Sequence, residues 1–181
     1  SIGYVDTPLL SIPTLATSVA AHKFTHFELS TLKDMAQDER AKLLLIVQDP
    51  FTSFYDAKVV EDFMLLVKKL GFQPILLPFK PNGKPQHVKG FLAKFAKTAK
   101  STAEFLNQVH QLQIPMVGLD ASLALCYRDE YKQVLGHERG DFEVKLAHEW
   151  LISITDQRNS VLNVNDSVAN AGNNEKLIAY K

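Results

Sequence analysis

The chain has 181 residues, with 20 lysines and arginines against 20 aspartates and glutamates, so it carries no formal net charge, and 46% of it is hydrophobic. That is enough chain to bury one sizeable core, and the neutral balance excludes a dedicated nucleic-acid binder, which needs a basic excess to neutralise phosphates. Cys126 is the single cysteine, which excludes an internal disulfide and a thiolate metal cage within one chain.

No apolar run approaches the ~18 residues of a membrane span, and nothing at the start reads as a signal peptide, so the expected setting is cytoplasmic. In chain order, residues 1–40 read as an arm with short helices. "IGYVDTPLL" is an extended lead-in, and Ser11 with Pro13 predicts a short helix over 12–22. Ser30 or Thr31 is expected to cap another. "AKLLLIVQD" (41–49) is a continuous apolar run ending in a polar turn, the pattern of a strand buried on both faces. In "DAKVVEDFMLLVKKLG", Val59, Val60, Phe63, Leu66, Val67 and Leu70 fall on one helical stripe, with Asp56 to cap the start and Gly71 the end. "FQPILLPF" is a second strand. Residues 86–112 predict one long helix, with Val88, Phe91, Leu92, Phe95, Thr102, Leu106 and Val109 on its buried stripe. "IPMVGLD" is a third strand, "SLALCYRDEYKQVL" its helix closed by Gly136, and "DFEVKLAHEWLISI" (141–154) a further amphipathic helix. Strands alternating with helices imply an α/β fold: a parallel sheet of three to five strands, with 43–48, 74–78 and 115–119 among them, and helices on both faces. From about Asp156 the chain turns Asn-, Ser- and Asp-rich, as a linker does. "KLIAYK" then reads as a strand beginning where the chain ends, the expected mark of a truncated domain.

In open α/β sheets, ligands bind beyond the carboxyl ends of the strands. Three loops meet that condition: "QDPFTSFYD" (48–56), "FKPNGKP" (79–85) and "LDASLALC" (119–126). Together they are expected to border one pocket.

These loops resemble the cysteine-rich "CCG" domain of the iron–sulfur subunits of glycolate oxidase, anaerobic glycerol-3-phosphate dehydrogenase and heterodisulfide reductase. That module carries a Cys after its first strand and Cys-Cys-Gly-x-Pro-x-x-x-x-Gly after its second. After its third comes Cys-Pro-x-Cys or Asp-Pro-Ser-Cys. Here Gly83, Pro85 and Gly90 reproduce the Gly-x-Pro-x-x-x-x-Gly spacing. Pro81 and Asn82 stand where the paired cysteines belong, Asp49 at the first cysteine and Leu123 at the last, while Cys126 is three residues too late.

Three longer stretches, "LIVQDPFTSFYDAKVVEDF", "LPFKPNGKPQHVKGFLAKFAKTAK" and "LCYRDEY", carry a closer likeness. They resemble the first, cysteine-poor repeat of bacterial fusion proteins that join an FAD-linked oxidase to an iron–sulfur oxidoreductase. Those proteins oxidise a D-2-hydroxy acid, D-lactate or D-2-hydroxyglutarate. The likeness runs from about Gly3 to about Trp150. It implies that 41–155 is a degenerate CCG-type domain and 156–181 a linker leading into a second repeat. It also implies that FAD and the iron–sulfur cluster belong to other domains of the parent: a flavin domain, a ferredoxin-like domain and the second CCG repeat. The parent is expected in the cytoplasm, with a peripheral contact at the inner membrane or with an electron acceptor as the further implication. No catalytic or metal-binding residue is expected within this stretch, whose role would be structural or docking. The alternative is a free-standing small-molecule-binding α/β domain that uses the loops at 49–56, 80–87 and 119–123, with Asp49, Lys84, His87 and Asp120.

Plainer readings stand beside each candidate. Asp49 and Asp56 form an acid–base pair or, more simply, close a strand turn and cap a helix. Lys80 and Lys84 lie near a helix start and are candidate anion contacts together with His87. Lys89, Lys94, Lys97 and Lys100 read as a solvated helix face or a dock for an acidic partner. Ser53 and Ser122 lack a nucleophile elbow and are expected to cap helices. The other histidines (His22, His26, His110, His137 and His148) show no ligand spacing. Cys126, within an apolar helical stretch, reads as a buried inert thiol.

Overall fold

The computed structural model describes residues 9–157 and 159. It divides into two units, Ser1–Leu146 and Ala147–Lys181. In the second, residues 147–157 are helical. The expected linker and strand start within 156–181 fall almost wholly outside the described residues, as does the extended lead-in before Leu9.

The first unit is built on a parallel sheet. Its strands are β1 (Leu43–Val47), β2 (Gln73–Leu76), β3 (Met116–Gly118) and β4 (Lys145–Leu146), in the order β2-β1-β3-β4. All three pairings are parallel, with Leu45 opposite both Ile75 and Met116. The unbroken apolar run of β1 is buried at every position because it lies between two neighbours with helices on both faces. Pro74, which has no N–H to give a ladder, sits in β2 at the sheet edge, where that lack is tolerated.

Helices connect the strands. α1 (Leu15–Ala21), α2 (Leu29–Asp34) and α3 (Gln37–Arg40) precede β1. α4 (Pro50–Phe54) and α5 (Ala57–Lys69) lead to β2. α6 (Lys84–Val88) and α7 (Leu92–His110) lead to β3. α8 (Ala121–Leu125), a π-turn (Cys126–Glu130) and α9 (Tyr131–Leu135) then run on continuously. The alternation of side chains along β1 sends Leu43, Leu45 and Val47 into one core with Phe95, Ala99, Leu106 and Val109 of α7 and with Tyr127 and Tyr131. Leu44 and Ile46 point to the other face and are as fully buried, as are Met64 and Val67 of α5. Among the described residues no helix is long and apolar enough to cross a membrane.

Several local expectations are corrected. Ser11 does not cap the first helix. Thr14 does, accepting from the Thr17 amide, while the Ser11 hydroxyl accepts from the Ala57 amide at 2.9 Å and so caps α5 in place of Asp56. The chain before α1 is thereby tied to α4 and α5, also through Ser11 N–H donating to the Phe54 carbonyl. Ser30 and Thr31 lie inside α2, and Glu28 holds its cap position.

The expected single helix over 86–112 is two helices. Gly90, with φ of +76°, ends α6 in a motif where its own N–H bonds the His87 carbonyl and the Phe91 N–H bonds that of Gln86. Val88, Phe91 and Leu92, assigned to the buried stripe, are therefore exposed. In α5 the buried set is Ala57, Val60, Phe63, Met64 and Val67, with Val59 and Leu66 at the exposed edges.

Residues 141–144 are not helical, 145–146 supply β4, and the helix begins only at 147. The sequence disguises this because the anchors are remote. Arg139 is buried, and its guanidinium donates to the carbonyls of Tyr127, Gly140 and Phe142. The Asn107 side-chain oxygen accepts from the amides of Asp141 and Phe142. These bonds tie Gly140 to Phe142 down in place of a first helical turn, and Phe142 and Val144 are buried in the core.

Candidate functional site

The three strand-end loops meet in one open cleft of about 430 Å³. It is lined by Asp49, Pro50, Phe51 and Tyr55 after β1, by Asn82, Lys84, Pro85, Val88 and Lys89 after β2, and by Asp120 and Ser122 after β3. The parallel sheet delivers this convergence, because all three strands point their carboxyl ends to the same side.

Each loop carries an oxygen-bearing side chain at its strand tip, and each folds back on its own chain. Asp49, only 1% exposed, accepts from the amides of Phe51 (2.7 Å) and Thr52 (2.9 Å) and from the Thr52 hydroxyl. Asn82 accepts from the Lys84 amide at 2.9 Å, and Asp120 from the Leu123 amide at 2.8 Å. Asp49 and Asp120 thus serve as helix caps, a role expected of Asp56 rather than of Asp49, whose plainer reading is to close the strand turn. Ser53 and Ser122 are not caps: both lie within helices, and the Ser53 hydroxyl is buried without a protein partner.

The loop at 81–84 is pinned from below. Thr102, buried in α7, donates to the Pro81 carbonyl at 2.8 Å, and the Tyr131 hydroxyl donates to that of Asn82 at 2.9 Å. Gly83 has φ of +79°, and a Cβ built there would stand 2.8 Å from Cδ2 of Phe95. Both facts demand glycine. Gly90 needs glycine for its positive φ alone, since nothing lies within 4 Å of a Cβ there. Close helix–strand approach is not its role.

The candidate anion contacts separate. Lys84 alone of the three lines the cleft, and its ammonium is paired with Glu130 of the π-turn. That hydrogen bond holds Lys84 above its ordinary value despite partial burial. Burial pushes Glu130 up, but the Lys84 bond, a backbone bond and the charges of Lys84 and His87 outweigh it and leave the carboxyl lowered. Lys80 turns away and lies over the Phe105 ring. His87 packs its ring on Phe95, centroids 4.8 Å apart, and does not line the cleft. Of the alternative set, Asp49, Lys84 and Asp120 come together and His87 stands outside.

The donor set does not fit an iron–sulfur cluster, which is held by thiolates. Asp49 and Asn82 offer oxygen already committed to backbone amides, and Pro81 offers only a carbonyl, taken by Thr102. Leu123 is buried against the Gly118 backbone. Cys126 is buried off the cleft, with its thiol pushed up to about 12, chiefly by burial. Among the described residues no group of three or more His, Cys, Asp or Glu is placed to hold a metal ion.

Sequence reasoning missed the supports of the site: Glu130, Tyr131, Thr102 and Phe95 as one pinning layer. Their signal was weak. A threonine on the apolar stripe of α7 and two tyrosines near an acid are ordinary until the loop is laid over them.

No family model matches the chain, and no solved structure matches it. The chain is similar to the D-2-hydroxyglutarate dehydrogenase of Escherichia coli K12, with 59% identity over 152 residues, 84% of this chain and 15% of that protein. It is 57% identical to that of Pantoea ananatis over 157 residues, 87% of this chain and 15% of the relative. Against that of Haemophilus influenzae it is 53% identical over 151 residues, 83% and 15% of the two chains. By sequence, then, the chain is a relative of one segment, about 15% of the length, of the bacterial D-2-hydroxyglutarate dehydrogenases.

Proposed function

We propose that this domain works within a D-2-hydroxyglutarate dehydrogenase as a docking and structural module with no redox centre of its own. The reading draws its substrate from the relatives' names. It draws its FAD and iron–sulfur setting from the likeness to CCG repeats, with both groups held by other domains. One observation supports the non-catalytic role: the strand-tip side chains are tied into their own chain, Asp49, Asn82 and one oxygen of Asp120 capping backbone amides and Lys84 paired with Glu130, which leaves little beside Ser122 and the rest of the Asp120 carboxylate at the cleft mouth. A catalytic acid or base needs an atom free to reach the reacting group. The cleft is then a degenerate ligand pocket whose backbone geometry outlived its chemistry.

The test is rapid-mixing flavin reduction by D-2-hydroxyglutarate in the full-length enzyme carrying Ser122→Ala or Asp120→Asn. Both remove or neutralise the polar groups that remain at the cleft mouth. Rates within about twofold of the parent are expected, since the chemistry lies elsewhere. A fall of about a hundredfold or more, with flavin content unchanged, refutes the docking role and makes the cleft part of the active site.

A further inference from the structure

We propose that the cleft, together with the apolar surface running out of it, receives another segment of the same long polypeptide. That segment presents an aromatic or branched aliphatic side chain flanked by carboxylates. The inference rests on the reading above, that the chain works within a longer dehydrogenase, and it assigns the face and the chemistry of the contact.

Part of the apolar exposure gathers at this cleft. Phe51 is 70% exposed and Val88 74%, and both line the cleft with Tyr55, Pro50 and Pro85. Just beyond the end of α6, Phe91 and Leu92 are 53% and 58% exposed. Large side chains left in water close together mark a contact surface, and Val88, Phe91 and Leu92 lie within five residues of one another.

A small metabolite is a poor fit. Ligand sites orient their ligands with a few polar atoms aimed inward, and here those of Asp49, Asn82 and Lys84 are already bonded within the domain. A molecule filling about 430 Å³ would also leave the outward-running side chains bare. A protein segment covers both the hollow and its margin.

Two observations choose the occupant. The matching relatives devote 15% of their length to this region, so most of the polypeptide lies outside it and is tethered to it at high effective concentration. The margin is also basic on the α6–α7 side. Lys89 lines the cleft, and Lys94 lies over the Phe91 ring at 5.4 Å. Neither has a carboxylate partner among the described residues, whereas Lys84 and Lys100 do. An apolar centre with unmatched lysines beside it complements an apolar anchor with acids beside it.

Hydroxyl-radical footprinting of the full-length enzyme tests this, because it reads side-chain exposure. Phe51, Tyr55 and Val88 are expected to be oxidised at least about fivefold more slowly than their exposure here implies. The protection should not change on dilution. Val88→Asp, at a solvent-facing position, should leave the domain folded and release Phe51 and Tyr55 to label freely. Lys89→Glu should raise their labelling and Lys89→Arg should not. Free labelling in the parent enzyme overturns the inference. So does protection that disappears on dilution, which would make a second copy the occupant. No response to Val88→Asp also overturns it, and no response to Lys89→Glu removes the acidic flank. The non-catalytic reading is tested apart from this, by flavin reduction in the Ser122→Ala enzyme, whose footprint at Phe51 and Tyr55 should stay that of the parent.

Discussion

Replacing Gly83 tests the ligand-loop geometry directly. Its φ of +79° lies in the left-handed region, where a residue with a Cβ costs about 1–2 kcal/mol. The new Cβ would also stand 2.8 Å from Cδ2 of Phe95, against an ordinary carbon–carbon contact of about 3.5–4.0 Å. Phe95 has little room to retreat: it is 1% exposed and packs between the His87 ring at 4.8 Å and the Tyr131 ring at 5.9 Å. Forcing a side chain into so full a core costs about 1–3 kcal/mol more. Gly83→Ala should therefore cost about 2–5 kcal/mol, and Gly83→Val the upper part of that range. Gly90→Ala is the internal control, because it carries the strain without the contact: φ is +76° and nothing lies within 4 Å. It should cost only about 1–2 kcal/mol. Urea denaturation followed by far-UV circular dichroism gives these differences. At roughly 2–4 °C per kcal/mol for a chain of this size, Tm of Gly83→Val should fall by about 8–20 °C. Phe95→Leu should bring the cost of Gly83→Ala towards that of Gly90→Ala, a coupling of about 1–2 kcal/mol. Equal costs for the two alanine variants would refute the contact argument. A Tm change below about 2 °C for Gly83→Val would refute the backbone argument as well.

The Lys84–Glu130 pair gives a pH signature. Glu130 is lowered in the folded chain, so its contribution is present above the unfolded carboxylate range and lost as pH falls through the folded value. Lys84 is raised, so its contribution is present below its ordinary value and lost as pH rises through the folded one. Glu130→Gln should cost about 1–2 kcal/mol near neutral pH and flatten both limbs of the stability–pH curve; an unchanged acid limb would show that the pair is not formed in solution. Cys126 should resist alkylation in the native chain at pH 8 by about a thousandfold relative to the unfolded chain, since both burial and a thiol near 12 suppress the thiolate. Labelling at comparable rates in the two states would refute its burial.

The sequence by itself determined the strand–helix alternation and, with it, the parallel sheet. An apolar run such as 43–47 has one stable home, between two neighbours with helices over both faces. From the direction of the strands it also followed that the loops after β1, β2 and β3 lie on one side. Glycine spacing around residues 83–90 marked the loop whose backbone is special, because few other residues tolerate a positive φ. What only the tertiary structure decided was which polar atoms remain available. Asp49, Lys84 and Asp120 are equally good candidates on paper. Their commitments to Phe51, Glu130 and Leu123 depend on turns and on a π-turn reached 46 residues further on, in the case of Lys84. The break at Gly90 likewise decided that Val88 and Phe91 face water, although their spacing places them on the stripe that buries Phe95. Residues 141–146 escape the expected helix for the same kind of reason. Asn107 and Arg139 supply the hydrogen bonds of that segment from a distance, and a helical hydrophobic pattern yields to backbone anchors that local sequence cannot display.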